Sequence, residues 1–339
     1  MSKFKIKSTA VLAIAFVLSA TAFAQSHPFT SFDAPDATSG TFPMHINNAG
    51  QIVGNYISNF THGFVRNADG QIIEFDAPLS TSTYPRSISS RGQIVGYAQS
   101  VNAGTVFGFL RSAHGNFVLI AYPAVTYTYA YSVNDNGAIV GIYSDSAFGE
   151  THGFVRDASG IYTSLDAPGA GTGVGQGTDP LVINNDSEIA GLYVDASAVA
   201  HGFVRDPVGT ITTFDVPDAT KTVPTDLNDN GDVSGNYVDA SGVQKIFIRH
   251  ADGTFATFAL PHVVTASALS INDSGYICGF GEGQFLSSTG FLRDPAGNLL
   301  LYSGPQPNLR GTCQSVNDNL HATGDYRDNA TGATHGWVK

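Results

Sequence analysis

Four histidines and four aspartates in this chain have the spacing of paired acid–base groups. Three of the histidines are each followed fourteen residues later by an aspartate. Such a pair can orient an imidazole for proton transfer, or it can fix the register of a hairpin as a cross-strand pair. One active site needs one pair, and neither a Ser or Cys nucleophile nor a G-x-S-x-G motif recurs beside these. We therefore predict a structural role for the pairs, which are His62 with Asp76, His152 with Asp166, His201 with Asp215, and the residual His335 with Asp33.

Three N-D-N segments, at Asn134, Asn228 and Asn317, resemble the start of a calcium loop. Such a loop needs alternating oxygen ligands, a glycine at the sixth place and a bidentate glutamate at the twelfth. The copy at Asn228 has Val233 at the sixth place and Asp239 at the twelfth. We interpret these segments as hairpin turns and predict no cofactor. Calcium stays open as a ligand without an assignable site, and the remaining histidines lack the spacing of zinc ligands.

An aromatic run, Tyr127, Tyr129 and Tyr131, alternates with smaller residues. On a strand, this alternation directs all three rings to one face. Exposed rings can stack on a sugar or a peptide, whereas buried rings would pack against a neighbouring sheet. We treat the three tyrosines as candidate ligand-binding residues, with packing as the alternative.

The two cysteines are Cys278 and Cys313. An exported chain would allow them to form a disulfide, and two buried free thiols are the alternative. No C-x-x-C motif or catalytic cysteine signature is present, so either state predicts a structural role.

A phrase of about 45 residues is repeated seven times along the chain, and a period of this length indicates a solenoid, a propeller or an array. Its clearest copy, Ile46 to Pro78, reads INNAGQIVGNY…HGFVRNADGQIIEFDAP. Turns rich in Asn, Asp and Gly divide each copy into four short strands, which we call a, b, c and d. Four antiparallel strands per repeat predict an all-β fold, a seven-bladed β-propeller with four-stranded blades. The apolar residue that opens each copy is Ile46, Ile88, Val133, Ile183, Leu227, Ile271 or Val316.

The two ends of the repeat array complement each other. The chain stops after a strand c, at residues 335–339, and a segment typical of strand d occurs at residues 29–35. We predict that this N-terminal strand completes the last blade and places Asp33 beside His335, which would leave no long sheet edge unpaired. The alternative phasing, with strand d first in each blade, keeps only two of the four His/Asp matches.

The pattern I-N-x-x-G-x-I/V-V-G-x-Y followed by H-G-F-V-R resembles the HAF-type extracellular repeat of exported bacterial proteins. The resemblance covers the chain from about residue 29 to residue 339. Glycine stands between His and Phe, as at Gly63, where the name of that family implies alanine. The resemblance implies an extracytoplasmic repeat protein and brings no catalytic residues.

Residues 1–24 have the pattern of a signal peptide, with three lysines, an apolar stretch from Val11 to Leu18, and Ala22-Phe23-Ala24 before Gln25. We predict one propeller domain over residues 25–339 and an exported protein, periplasmic or extracellular. The net charge of −12 without basic clusters argues against a nucleic-acid partner. No segment predicts a membrane span, and we expect a monomer.

The leading functional hypothesis is a non-catalytic binding or scaffold protein with a carbohydrate or a protein or peptide ligand at one rim or at the channel mouth. The alternatives are a propeller hydrolase or lyase acting on a polysaccharide or a small ester, and a purely structural surface protein. Acids or histidines converging in the channel would favour the enzyme.

Overall fold

The computed structural model describes residues 29–102, 104–147, 149–261, 263–283, 288–302 and 310–339. The predicted signal peptide lies outside these residues. Every regular element in the described ranges is a β-strand. The same ranges contain no helix with the length and apolar character that crossing a bilayer requires.

The strands, numbered in chain order, follow the four-part division of the repeats. Strands a are β2 (Gly40–Ile46), β6 (Ser80–Ile88), β10 (Tyr127–Val133), β14 (Gly177–Ile183), β18 (Ala219–Leu227), β22 (Thr265–Ile271) and the short pair β26 (Arg310–Gly311) and β27 (Ser315–Val316). Strands b are β3 (Ile52–Ile57), β7 (Ile94–Ser100), β11 (Ile139–Ser144), β15 (Ile189–Val194), β19 (Val233–Asp239), β23 (Ile277–Glu282) and β28 (Ala322–Arg327).

The outer half of each repeat is the c–d hairpin. Strands c are β4 (Thr61–Arg66), β8 (Val106–Arg111), β12 (His152–Arg156), β16 (Ala200–Arg205), β20 (Gln244–Arg249), β24 (Thr289–Arg293) and β29 (Thr334–Val338). Strands d are β5 (Ile72–Phe75), β9 (Phe117–Ile120), β13 (Tyr162–Leu165), β17 (Ile211–Phe214), β21 (Phe255–Phe258), β25 (Leu299–Tyr302) and, at the start of the chain, β1 (Thr30–Phe32).

Strands a, b, c and d of one repeat pair in that order and antiparallel, as in the sheet β14-β15-β16-β17. The a–b turns close as the N-D-N-G segments predict. In the third repeat the amide of Gly137 donates to the carbonyl of Asn134 at 3.0 Å, and Gly137 has a φ of 82°. Glycine adopts this left-handed conformation without steric strain.

The first described strand pairs with the last one. Ser31 of β1 lies opposite Trp337 of β29 in an antiparallel pair. The last described repeat therefore takes its strand d from the N-terminal side of the chain. One parallel contact, Gly40 with Thr334, also connects β2 of the first repeat to β29.

The cores lie between consecutive repeats. One cluster joins Val53 and Val65 of the first repeat to Ile88 and Ile94 of the second. Burying a side chain of this kind contributes about 1.5–3 kcal/mol. Each strand c supplies one aromatic side chain that is at most 1% exposed: Phe64, Phe109, Phe154, Phe203, Phe247, Phe291 and Trp337.

Candidate functional site

The strands a of all seven sequence repeats border one cavity of about 440 Å³, which we call the central cavity. Its lining residues are Met44, His45, Arg86, Ser87, Tyr97, Tyr131, Ser132, Leu181, Val182, Val223, Pro224, Thr225, Asp226, Leu269, Ser270, Gln314 and Ser315.

A β-bulge recurs at the same place in six strands a. In β6, for example, the register with β7 shifts between Pro85 and Ser87, so that Arg86 is the extra residue. A bulge of this kind redirects the side chain of the extra residue. The extra residues all line the central cavity, and they differ between repeats: Met44, Arg86, Tyr131, Leu181, Thr225 and Leu269. We call these six residues the bulge row.

In four of the six bulged strands, the residue after the bulge accepts a backbone N–H of the next repeat. In several repeats it is a serine whose hydroxyl accepts a backbone N–H of the next repeat, as Ser132 does from Ile183 at 3.3 Å. His45 occupies this position in the first repeat, and its Nδ1 accepts the N–H of Ile88 at 3.4 Å. Burial lowers the pKa of His45 to about 4. The neutral imidazole therefore carries its proton on Nε2.

Asp226 occupies the same position in the fifth repeat. Its Oδ2 accepts the N–H of Ile271 at 2.9 Å, and its Oδ1 accepts the N–H of Leu227 at 3.0 Å. Burial raises the pKa of Asp226 to about 6, although both hydrogen bonds oppose this shift. The central cavity thus contains a neutral imidazole and a carboxyl group that titrates near neutral pH.

An aromatic wall lies beside Arg86. The guanidinium carbon is 6.0 Å from the ring centroid of Tyr131. Tyr97 stacks on Tyr84 at 5.0 Å and contacts Tyr129 edge-on at 5.0 Å. Burial raises the pKa of Tyr97, and it raises the pKa of Tyr131 far above the usual range of a phenol, so both hydroxyls are neutral donors.

The three tyrosines of the aromatic run have different surroundings. Tyr131 lines the central cavity. The ring centroid of Tyr129 is 6.3 Å from that of Tyr131, and Tyr129 contacts Tyr97. Tyr127, at the start of β10, lies opposite Ser144 and contributes nothing to the cavity wall. The structure therefore associates two of the three candidates with the cavity.

A second, smaller pocket of about 140 Å³ shares the residues after the bulges with the central cavity and extends to the a–b turns. Buried asparagines connect these turns. The side-chain amide of Asn184 donates to the carbonyl of Asn228 at 3.0 Å, and that of Asn228 donates to the carbonyl of Asn272 at 3.0 Å. Asn317 donates to the carbonyl of Asn47, from the last repeat back to the first, at 2.8 Å. We call this series the asparagine ladder.

Carboxylates of the same turns accept backbone N–H groups of the adjacent repeat, as Asp273 does from Asp229 at 2.8 Å. No group of three or more His, Cys, Asp or Glu in the described ranges has an arrangement that would hold a metal ion. The hydrogen bonds of the turn residues connect adjacent repeats.

The four His/Asp pairs lie between strands c and d, apart from the central cavity. In each pair the Nδ1 of the histidine is 2.8–3.0 Å from a carboxylate oxygen of its aspartate. A strand b tyrosine packs against each imidazole, as Tyr193 does on His201 at 4.9 Å. His335 and Asp33 form the pair that connects the two ends of the described chain.

Cys278 and Cys313 are free and fully buried. The thiol of Cys278 donates to the carbonyl of Cys313 at 3.1 Å, and burial raises the pKa of Cys278. Of the two alternatives, the structure has the free thiols and not the disulfide. The two side chains fill the core between the sixth and seventh repeats.

Sequence reasoning missed the three most informative cavity residues, Arg86, His45 and Asp226. A signal for Arg86 was present, because its position differs between repeats while the residue before it is Pro or Ala and the residue two places after it is Ile, Val or Leu. A bulge changes which face a side chain occupies, so simple alternation along strand a does not predict their direction.

No protein-family model and no curated protein sequence matches the chain. Solved structures do resemble it. Streptogramin B lyase superimposes with a TM-score of 0.60 at 14% identity, over 92% of this chain and 97% of the lyase. Virginiamycin B lyase from Staphylococcus aureus, in an inactive form with quinupristin, superimposes with a TM-score of 0.60 at 13% identity, over 92% of this chain and 99% of that lyase.

TolB from Acinetobacter baumannii gives a TM-score of 0.51 at 10% identity, over 77% of this chain and 62% of TolB. These neighbours are β-propeller proteins, and at such low identity the similarity concerns the fold alone. The chain is an all-β protein of the β-propeller type.

Proposed function

We propose that this protein is a non-catalytic binding propeller that holds a small ligand in the central cavity. The observation that carries the proposal is the bulge row. Every residue of this row lines one cavity, and the row varies between repeats, whereas the residue before it is always Pro or Ala and the residue two places after it is always Ile, Val or Leu. Variation at one ligand-facing position per repeat, on a rigid frame, is the arrangement expected of a binding site.

We propose that the frame is a seven-bladed propeller whose last blade is completed by β1. The pairing of β1 with β29 supports this closure, as does the bond from Asn317 to Asn47. The closure would place the bulge residues around one axis with fixed spacing. A rigid cavity of this kind reduces the ordering entropy that binding must overcome.

The residues nearest to acid–base chemistry are engaged in other contacts. The Nδ1 of His45 and both carboxylate oxygens of Asp226 accept backbone N–H groups. Four further imidazoles are engaged in the His/Asp pairs between strands c and d. These contacts support binding over catalysis.

One observation favours an enzyme as the second candidate. His45 and Asp226 both have strongly shifted pKa values and line the same cavity, which is a feature of active sites. The candidate reaction class is a hydrolysis or elimination in which the carboxyl of Asp226 exchanges a proton with the substrate. Turnover that disappears in Asp226→Asn while ligand binding persists would support this class.

The test of the binding proposal is a thermal-shift screen of the purified chain against small carboxylates, amides, mono- and disaccharides and short peptides. A molecule that binds the folded state raises the melting temperature by mass action. The matched control is Leu269→Trp, which places a large side chain in the cavity. We expect shifts in the wild type that the Trp variant lacks. Equal shifts in both proteins would place the ligand elsewhere, and an absence of shifts would contradict the proposal.

We also propose that the protein is exported and belongs with the HAF-type repeat proteins. The residues that resemble a signal peptide and the repeat phrase support this assignment. N-terminal sequencing of the protein from its producing cells tests it. We expect a mature chain that begins at Gln25, and a retained Met1 would contradict export by this signal.

A further inference from the structure

We propose that the central cavity selects a ligand that combines one carboxylate with a planar or apolar body. Arg86 would bind the carboxylate, and Tyr97 and Tyr131 would contact one side of the body. This inference rests on the proposed binding function and names the ligand class for the same cavity.

The position of Arg86 supports the carboxylate part. It is the only Lys or Arg among the described residues that line the central cavity. In the described ranges no carboxylate forms an ion pair with its guanidinium, which lies 6.0 Å from the ring of Tyr131 and whose charge partly offsets the rise in the pKa values of Tyr97 and Tyr131. A guanidinium offers N–H donors in a fork that matches a carboxylate, and it stacks well on aromatic faces. Arg86 thus has its hydrogen-bonding capacity free, in a chain with a net charge of −12.

The remaining wall supports the planar or apolar part. The rings of Tyr97 and Tyr131 form one side, and Met44, Leu181 and Leu269 add apolar surface. Ligand pockets of this composition bury an apolar body and fix it with a small number of polar groups. The volume of about 440 Å³ suits a molecule with one or two aromatic rings.

Asp226 is the other charged residue that lines the cavity, and it would not bind the ligand carboxylate. Asp226 directs both carboxylate oxygens to backbone N–H groups, from Leu227 and Ile271. Its negative charge disfavours a second anion nearby. A ligand carboxylate would therefore bind at the Arg86 side of the cavity, with its body between the two groups.

The test compares 4-hydroxyphenylacetate with its neutral amide, 4-hydroxyphenylacetamide, by isothermal titration calorimetry on the full chain. The two probes share the same aromatic body and differ at one end, where one has a carboxylate and the other a neutral amide of similar size. We expect the carboxylate to bind the wild type at least ten-fold more tightly. Arg86→Gln should remove that preference, and Arg86→Lys should keep part of it, because lysine retains the charge without the fork.

The control variant is Arg91→Gln, which removes an exposed arginine five residues away. It should leave both affinities within two-fold of the wild type. Equal binding of the two probes, or an Arg86→Gln protein that keeps the preference, would overturn the ligand class and leave the binding function intact. Failure of both probes to bind would also overturn it. Probe binding that persists in Leu269→Trp would count against the cavity itself.

Discussion

The positions that repeat in this molecule and the positions that vary have different neighbours. The repeated positions contact the next repeat: the strand c aromatics fill the cores, and the asparagine ladder joins the a–b turns. The bulge row varies and faces the central cavity. Both sets belong to the same short strands and hairpins, separated by a few residues.

The difference shows how one fold separates stability from recognition. A repeated residue satisfies the same steric requirement in every copy, so changing it disturbs an interface between sheets. A bulge residue has cavity on one side and meets no such requirement. Four predictions test this separation, beginning with the largest expected effect.

Gly191→Ala should strongly destabilise the protein. A Cβ at this strand b position would collide with the backbone carbonyl oxygen of Asp179 and would lie 2.9 Å from the ring of Phe203. Because a backbone atom cannot move aside easily, we expect a loss of at least about 3 kcal/mol in the free energy of unfolding, measured by denaturant titration.

The control for this variant is Gly242→Ala. Gly242 has a φ of 82°, and no atom lies within 4 Å of the place that an alanine methyl would take, so only backbone strain opposes the change. We expect a loss of about 1 kcal/mol there. Similar losses in the two variants would show that strands a and c of the same repeat tolerate a side chain at Gly191.

His45 and Asp226 should have opposite effects on how stability depends on pH. The folded-state pKa of His45 is lowered from 6.5 to about 4, so its contribution is present above pH 6.5 and is lost as the pH falls towards 4. The folded-state pKa of Asp226 is raised from 3.8 to about 6, so its contribution is present below pH 3.8 and is lost as the pH rises through 6. The two effects compensate in the wild type between about pH 4 and 6.5.

Removing either group should reveal the other. As the pH falls from 7 to 4.5, the free energy of unfolding of Asp226→Asn should decrease relative to that of the wild type. Over the same change in pH, the free energy of unfolding of His45→Gln should increase relative to that of the wild type. We expect changes on the order of 2 kcal/mol, below the full linkage value because both side chains are partly accessible to the cavity. Denaturant titrations at the two pH values measure them. Parallel pH profiles of the three proteins would refute the compensation.

The pairs His335–Asp33 and His62–Asp76 should have the same coupling energy. The Nδ1–carboxylate distance is 2.9 Å in both, and the aspartate side chains are 47% and 50% exposed. Double-mutant cycles with alanine should give about 0.2–1 kcal/mol for each pair. A coupling confined to His62–Asp76 would indicate that β1 is held less firmly than the internal strands d.

Changes in the bulge row should affect stability least. Arg86→Gln and Met44→Leu alter side chains that line the cavity. We expect the free energy of unfolding of each variant to stay within about 0.5 kcal/mol of the wild-type value. Differential scanning calorimetry checks this. A loss above about 1 kcal/mol in the free energy of unfolding of either variant would show that the bulge row contributes to stability. It would then count against the separation of stability from recognition.

The sequence predicted much of the framework because the framework repeats. The period, the four strands, the N-D-N-G turns and the register of the His/Asp hairpins depend on local patterns that occur several times. The asparagine ladder was not predicted, because the residue after strand a looks like an ordinary turn residue. Only the arrangement of neighbouring repeats brings the amide of Asn184 to the carbonyl of Asn228.

The candidate site was less accessible from sequence for a related reason. Tyr131 was recognised because tyrosine alternates in its own strand, whereas Arg86 and Asp226 look ordinary within theirs. Their significance depends on a bulge and on side chains from several repeats that meet in one cavity. Such convergence is a long-range property that a one-dimensional pattern does not contain.

The pairing of β1 with β29 has a consequence for the order of folding. Asp33 and His335, which it brings together, are 302 residues apart, whereas strands within one repeat are near neighbours. Closing a loop of that length costs about 5 kcal/mol in chain entropy on a logarithmic scaling. The internal repeats can therefore form early from local contacts, and the docking of the first strand is expected to be the last and slowest step.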